Sequence, residues 1–505
     1  MSPDETCIGQ YLLRHPDPDT TALSWTGGQI DQSALHDRVT GLASWLFDAG
    51  LRHGDRVAVL LPKGPTAATA LLACLAAGVI AVPCDFHAPA ARTTDLLSEV
   101  TPGLVITTDE RRADLPRTLR LIAVTPDDPA TLPHSPRPLG RFDRPVDTAA
   151  LILPTSGSTG TPKGVVLSYR NVTTFLHWAV AHFALTRADR FLSIAPFHFD
   201  LSTLDLLGSQ MIGASVHLLG EVETRFPGAI AKALQERRIT IAYTVPTVLT
   251  MMTTLKAFSG GVGADLRWLL SAGEVLPTAL VTSLKSALPD TRIANLYGPT
   301  ETNVISCHIA GPVDPSLPTT PIGLPCAHSR ITIRDPDGVA LPVGAEGEIC
   351  VHGPSVMLGY WNRPRATQDA RVAGKGDSYR TGDFGRFTPD GSLTFLGRRD
   401  HQVKIRGHRL ELAEVESQAL ATGLLQAACA VLIETDPQRP KLVLCAIACD
   451  DTINPNAIKA SLATHLPRHA LPDTVFFVPS FPFTSSGKID RNALRQRATD
   501  HLERD

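Results

Sequence analysis

Residues Leu151 to Val165 read LILPTSGSTGTPKGV: an apolar run enters a loop of small hydroxyl residues and glycines, and a lysine closes it. The apolar run fits a buried strand. In the loop, glycine lets successive backbone N–H groups point into one concavity, the hydroxyls add donors, and Lys163 supplies a mobile cation, a combination suited to polyphosphate. The spacing is not that of a Walker A loop, because Gly160 is followed by Thr161, Pro162, Lys163 and Gly164. Taken alone, the stretch is equally a polar connecting loop.

Working outward, apolar strand-like segments alternate with helical ones through the first 300 residues: GDRVAVLLP, VIAVPCD, GLVITTD, ASVHLLG, ITIAYTVP and LRWLLSAG. That alternation predicts α/β layers with parallel sheets. The longest apolar run, Ala67 to Cys84, is broken by Gly78 and Pro83, which predicts a packed helix ending at Gly78 and then a buried strand rather than a membrane span. Thr125 to Asp147 carries six prolines without periodicity and reads as an irregular connection. After about Gly311 the pattern turns to short strands, and Pro-Asp-Gly in RITIRDPDGVALP and FGRFTPDGSLTFLGR predicts two hairpins. The domains expected are a core over residues 1–399, made of two stacked α/β subdomains to about 310 and a small β-barrel-like subdomain over about 311–399. A hinge at Asp400 and a small α+β domain over 401–505 follow.

Composition narrows the function. The 505 residues hold 47 Lys plus Arg against 50 Asp plus Glu, a net charge of −3, so no electrostatic footprint for nucleic acid or an anionic membrane is visible. Nine scattered cysteines without C-x-x-C give neither a zinc site nor a disulfide framework and suit a reducing cytoplasm. Cys445 and Cys449 read as small apolar residues of one buried strand. The N-terminus lacks the basic and apolar regions of a secretory signal.

Three further motifs follow the phosphate-type loop in order. NLYGPTET (Asn295 to Thr302) sets an aromatic ring, a hydroxyl and a carboxylate close together after an apolar strand. YRTGDFGR (Tyr379 to Arg386) offers an acid on a tight turn, and FTSSGKIDR places Lys488 on a glycine-bearing loop. Together they resemble the adenylate-forming superfamily, which contains acyl-CoA synthetases, luciferases and the adenylation domains of nonribosomal peptide synthesis. The resemblance runs nearly the whole chain, through GEICVHGPSVMLGYWNRP, YRTGDFGRFTPDGSLTFLGRRD and VKIRGHRLELAEVE.

The resemblance implies ATP and Mg²⁺. Thr155, Ser156, Gly157, Ser158, Thr159 and Lys163 would wrap the β- and γ-phosphates, with Gly273, Asn295 and Tyr297 at the nucleotide. Thr300 would meet the α-phosphate, Glu301 the metal, and Asp383 with Arg398 the ribose. The reaction implied is attack of a carboxylate on the α-phosphorus, with Lys488 meeting the developing charge. Rotation about Asp400 would then admit a thiol. On the residues alone, Tyr297 is also core packing and Asp383 also a turn former.

APFHFDLSTLDLLGS (Ala195 to Ser209) resembles the family segment that enters the acid pocket. In amino-acid-activating members an aspartate pairs with the substrate ammonium; Asp200, after Phe199, takes that place, although a helix cap beside Ser202 is its structural alternative. The remaining pocket positions carried over are Leu201, Leu204, Tyr243, Leu270, Ala272, Leu296, Val304 and Ile305. One anion, one cation in Lys488 and hydrocarbon walls fit a small zwitterion. The set is similar to that of free-standing L-proline-activating enzymes, which implies a small amino acid and the phosphopantetheine of a separate peptidyl carrier protein as partners. A D-alanine:carrier-protein ligase, an acyl-CoA ligase and a non-catalytic nucleotide-binding regulator are the alternatives. His198 is as readily a core histidine as a substrate contact, and Cys307 with His308 lacks the third partner of a nucleophile.

Overall fold

A computed structural model describes residues 7–14, 20–140, 144–155, 163–311, 319–372, 376–398, 402–405, 408–434, 440–450, 452–482 and 489–503. The chain divides into two compact units, one built from residues 1–86, 99–154 and 164–399, the other from 87–98, 155–163 and 400–505.

Two large sheets organise the first unit among the described residues. One has nine strands, whose centre, Arg292–Tyr297, Trp268–Ser271, Ile241–Thr244, Arg190–Ser193, Ser215–Leu218 and Thr21–Trp25, is parallel throughout. Its edges turn antiparallel at Gly28–Asp31 and at Ser306–Ile309. The other has seven, with Ala149–Thr155, Ile80–Pro83, Arg56–Val59 and Leu104–Thr107 parallel at its centre. Parallel strands covered on both faces read as continuous apolar runs, which is why these strands stand out in the sequence. Every residue of Ile80–Pro83 and of Leu104–Thr107 is buried.

The helix before Ile80–Pro83 shows how sequence sets its ends. Pro65 opens it at a position that needs no N–H, and all thirteen residues to Ala77 are buried. Gly78 closes it in the left-handed conformation, φ 72°, where a Cβ would also meet His53 Nδ1 at 2.9 Å.

The smaller sheet corrects one hairpin. Ser378–Phe387 and Leu393–Arg398 pair around Pro389-Asp390-Gly391 as expected. At Pro336-Asp337-Gly338 the return strand is reduced to a single bridge between Arg334 and Ala340, and Arg330–Arg334 pairs instead with Gly347–His352. All six residues of Gly347–His352 are buried, whereas Val339 and Ala340 just past the turn are exposed and add only that bridge at the strand's other edge.

The second unit contains a three-stranded sheet, Leu425–Ile433, Lys441–Ala448 and Thr474–Phe477, with helices Leu412–Ala421, Pro455–Leu462 and Arg491–Leu502. Arg491 grips Glu416 through two bonds, 2.5 and 2.9 Å, and donates to the Ala430 carbonyl at 2.7 Å, tying two helices to one strand. Cys445 is buried in the sheet as read, but Cys449 falls past the strand end and is exposed; all nine cysteines are free thiols. No helix among the described residues is long and apolar enough to cross a membrane.

His217 gives the first unit a definite response to acid. It is 5% exposed and its Nδ1 lies 2.9 Å from the Ser24 hydroxyl. Burial, assisted by Arg237, pushes its pKa down to about 4. An unfolded imidazole titrates near about 6.5, so stability is fully present above that pH and is lost as pH falls toward 4. His217→Gln should remove up to about one proton from the pH dependence of unfolding in this window. Denaturant titrations from pH 7 to 4 check this; an unchanged slope would contradict it.

Candidate active site

In an open parallel sheet the carboxyl ends of the strands are where ligands bind. The nine-stranded sheet collects the expected site residues there. Phe199 and Asp200 follow strand Arg190–Ser193, Tyr243 lies near the end of its strand, Ala272 and Gly273 follow Trp268–Ser271, and Thr300 and Glu301 follow Arg292–Tyr297.

Alternation along Arg292–Tyr297 separates two tasks. Tyr243, Leu270 and Ala294 are register partners on one face, and Leu296, two residues further on, shares it. Asn295 and Tyr297 point to the other face. Asn295 Nδ2 donates to the Pro321 carbonyl at 2.9 Å, so the side chain is orientated with its carbonyl oxygen as the acceptor it can offer a base.

Tyr297, Asp383 and Arg398 form one buried network. The Tyr297 hydroxyl donates to Asp383 Oδ2 at 2.5 Å, and Arg398 Nη1 donates to Oδ1 at 2.6 Å. Burial, followed by the neighbouring Asp383 charge, pushes the Tyr297 phenol well above its ordinary range, so it stays a donor. Asp383 does not sit on a tight turn as read: it lies inside strand Ser378–Phe387, opposite Arg398 in the adjacent strand. Gly382, at φ 71°, kinks the strand there, and the motif's glycine therefore serves a bend within the strand. Each carboxylate oxygen keeps a second acceptor position, which is what a ribose diol requires.

The NLYGPTET loop folds tightly on itself. A Cβ on Gly298 would lie 1.8 Å from the Asn303 carbonyl oxygen, so only glycine lets the two turns approach. Glu301 is 1% exposed, and Tyr360, which lies within GEICVHGPSVMLGYWNRP but was given no role there, donates its hydroxyl to Oε1 at 2.7 Å. A single carboxylate orientated by a phenol fits the hard donor that a phosphate-bound Mg²⁺ takes from protein. Thr155 and Lys163 stand at the two ends of the phosphate-type loop, the Thr155 hydroxyl donating to the Lys163 carbonyl at 3.2 Å.

Leu201, Leu204, Tyr243, Leu270, Ala272, Leu296, Val304 and Ile305, the positions carried over for the acid pocket, are all buried in the main hydrophobic core of the first unit, with Phe199 packed against it. Gly273 adopts φ 89°, a conformation that favours glycine, and a Cβ there would meet Val245 Cγ1 at 3.3 Å. Asp200 is half-buried, and Ser202, which begins the following helical turn, turns its Oγ back to donate to the Phe199 carbonyl at 2.7 Å and makes no side-chain capping bond. Burial first and the Asp200 charge second hold the Tyr243 phenol protonated. His328, unmarked by any motif, lies 3.0 Å through Nε2 from the Val304 carbonyl and fixes that wall. Burial pushes the Cys307 thiol up to about 12, so it is no nucleophile.

Ser156, Gly157, Ser158, Thr159, Asp400 and Lys488 lie outside the described residues. Tyr360 and His328 were missed because each acts through one polar atom at a distant point of the chain, 59 and 24 residues from its partner.

Comparison with known proteins gives the family of the chain. The AMP-binding enzyme family matches residues 14–361. The chain is 35% identical over 499 residues to an L-proline–(L-prolyl-carrier protein) ligase of Pseudomonas fluorescens, covering 95% of this chain and 96% of that one. It is 36% identical over 484 residues to a protein of the same name from Streptomyces coelicolor, covering 90% of each. Among solved structures it is similar to the amide bond synthetase McbA of Marinactinospora thermotolerans, at TM-score 0.87 and 24% identity over 97% of this chain and 99% of that one, which is a likeness of fold. The match over residues 14–361 and the two full-length relatives at 35% and 36% identity show that the chain belongs to the AMP-binding enzyme family and is an AMP-forming ligase.

Proposed function

We propose that the chain activates a small amino acid, L-proline foremost, as its aminoacyl adenylate and passes it to the phosphopantetheine thiol of a carrier protein. The observation that carries this reading is Asp200, a carboxylate bordering a cluster of Leu201, Leu204, Leu270, Ala272, Leu296, Val304 and Ile305. An anion beside hydrocarbon walls selects a cationic group attached to a compact apolar body. The names of the two carrier-protein ligases support the same reading.

In the first step a substrate carboxylate oxygen bonds to the α-phosphorus and the bond to pyrophosphate breaks. In the second, the thiolate attacks the acyl carbon and AMP leaves. Asp383 and Asn295 hold the nucleoside, Asp200 the ammonium, and Thr300 the α-phosphate. Glu301 would hold Mg²⁺, whose charge neutralises phosphate oxygens. Incubation with ATP, L-proline and a phosphopantetheinylated carrier should shift the carrier's mass by one prolyl group; adenylation without any acylated carrier would contradict the second step.

Lys488 and Gly407 separate the two steps in this reading: Lys488 meets charge developing at the α-phosphate, and Gly407, in the VKIRGHR segment just past the hinge at Asp400, would face the site only after rotation. Removing a preorganised donor to developing charge costs about 2.7 to 4 kcal/mol. Lys488→Ala should therefore slow pyrophosphate exchange by about 10²- to 10³-fold while still transferring supplied prolyl adenylate. A bulky residue at Gly407 should do the reverse. Equal loss of both steps in both folded variants would contradict the assignment.

A further inference from the structure

The helix Pro246–Thr254 begins without a cap of its own. Its N-cap residue is Val245, whose side chain offers no acceptor, and Pro246 carries no N–H, so Thr247 is the first helical residue with a donor to satisfy. That donor is met from 27 residues away: Glu274 Oε2 accepts the Thr247 N–H at 2.8 Å and the Thr247 hydroxyl at 2.7 Å. A carboxylate there also meets the positive end of the helix dipole. A serine or aspartate at position 245 would cap the helix locally, so the needs of the helix alone do not account for Glu274.

What the long-range tie adds is a hold on the loop that carries Glu274. Strands Ile241–Thr244 and Trp268–Ser271 are parallel neighbours, and the two chains stay joined beyond their ends. The Ala272 N–H donates to the Thr244 carbonyl at 3.2 Å, Gly273 passes Val245 closely enough that a Cβ would meet its Cγ1 at 3.3 Å, and Glu274 then reaches Thr247. Farther along, the Leu276 carbonyl accepts the Thr320 N–H at 2.9 Å, beside Pro321, whose carbonyl orientates Asn295. The strip Ala272–Gly273 is thus held on one side by the chain that leaves Tyr243 and on the other by the chain that orientates Asn295. In the reading above Ala272 faces the acid and Gly273 the nucleotide, so adjacent residues of one strip serve both substrates.

We propose that Glu274 is a positioning residue that sets both substrate subsites at once: by clamping the Ala272–Gly273 strip to the start of helix Pro246–Thr254, it fixes where the acid and the nucleotide stand relative to each other. It acts through Ala272 and Gly273. The inference rests on the roles given above to those two residues, and it concerns whichever acid the pocket takes.

The test measures KM for ATP and for the acid that wild type activates best, in pyrophosphate exchange, for Glu274→Ala, Glu274→Gln and Thr247→Val. Melting temperatures are taken alongside. Glu274→Ala should raise both KM values together, each by about tenfold, because the strip loses two bonds to a carboxylate. Glu274→Gln can place an amide oxygen where Oε2 stands and should stay within about threefold of wild type in both. Thr247→Val keeps the N–H and loses the hydroxyl; it should fall between, again with both constants moving in parallel. A rise in only one KM would overturn the proposal. So would a folded Glu274→Ala with both KM values at the wild-type level, whatever its melting temperature, which would leave Glu274 a helix cap and no more. If Glu274→Ala does not fold, Thr247→Val decides by the same criterion. If wild type activates only acids without an amino group, the reading of Asp200 fails, while the Glu274 measurements proceed with that acid and are judged on their own.

Discussion

Asp383→Ala is expected to lower kcat/KM for ATP in pyrophosphate exchange by about 10²-fold or more, with a fall in melting temperature. The carboxylate is 3% exposed and satisfies a phenol and a guanidinium at once, Tyr297 at 2.5 Å and Arg398 at 2.6 Å. Removing one partner of a buried ion pair costs about 3 to 5 kcal/mol, because the other charge is left without compensation. The loss should appear in ATP affinity ahead of amino-acid affinity, since Tyr297 and Asn295 point away from the pocket face of their strand. Asp383→Asn, which keeps the shape and one acceptor oxygen, should fall between. Unchanged KM for ATP in a folded Asp383→Ala would contradict the role given to this network.

Asp200→Ala should do the opposite. Its expected signature is an amino-acid kcat/KM reduced by about 10²-fold or more, with the KM for ATP held within about twofold, from the range for an ion pair that substrate binding would desolvate. Asp200 is half-buried, so its removal should cost the fold little, which a melting temperature near that of wild type would show. Amino-acid exchange at the wild-type level in this variant would remove the ammonium contact from the mechanism.

Much of this architecture is legible because parallel strands are buried on both faces, and VIAV, LVIT and WLLS announce themselves as apolar runs without help from distant residues. Gly78 is legible for a local reason as well, since a left-handed cap favours glycine wherever it falls. The partner of Arg330–Arg334 is not: a Pro-Asp-Gly turn suggests a hairpin, yet pairing goes to Gly347–His352, a strand buried throughout. Asp383 shows the same limit within a motif. Gly382 reads as a turn residue, whereas it bends a ten-residue strand so that the acid faces Arg398 across the sheet.

The central claim is the identity of the activated acid, and ATP–pyrophosphate exchange over one panel tests it most directly. The panel would hold L-proline, pipecolate, valine, D-alanine, aliphatic acids and aryl acids at equal concentration. L-Proline should give the highest kcat/KM, with the other amino acids lower by about 10-fold per methylene-scale mismatch and the aliphatic and aryl acids near background. Highest turnover with D-alanine would contradict the proline assignment, and exchange confined to aliphatic or aryl acids would contradict the ammonium-binding role of Asp200 and with it the proposed function.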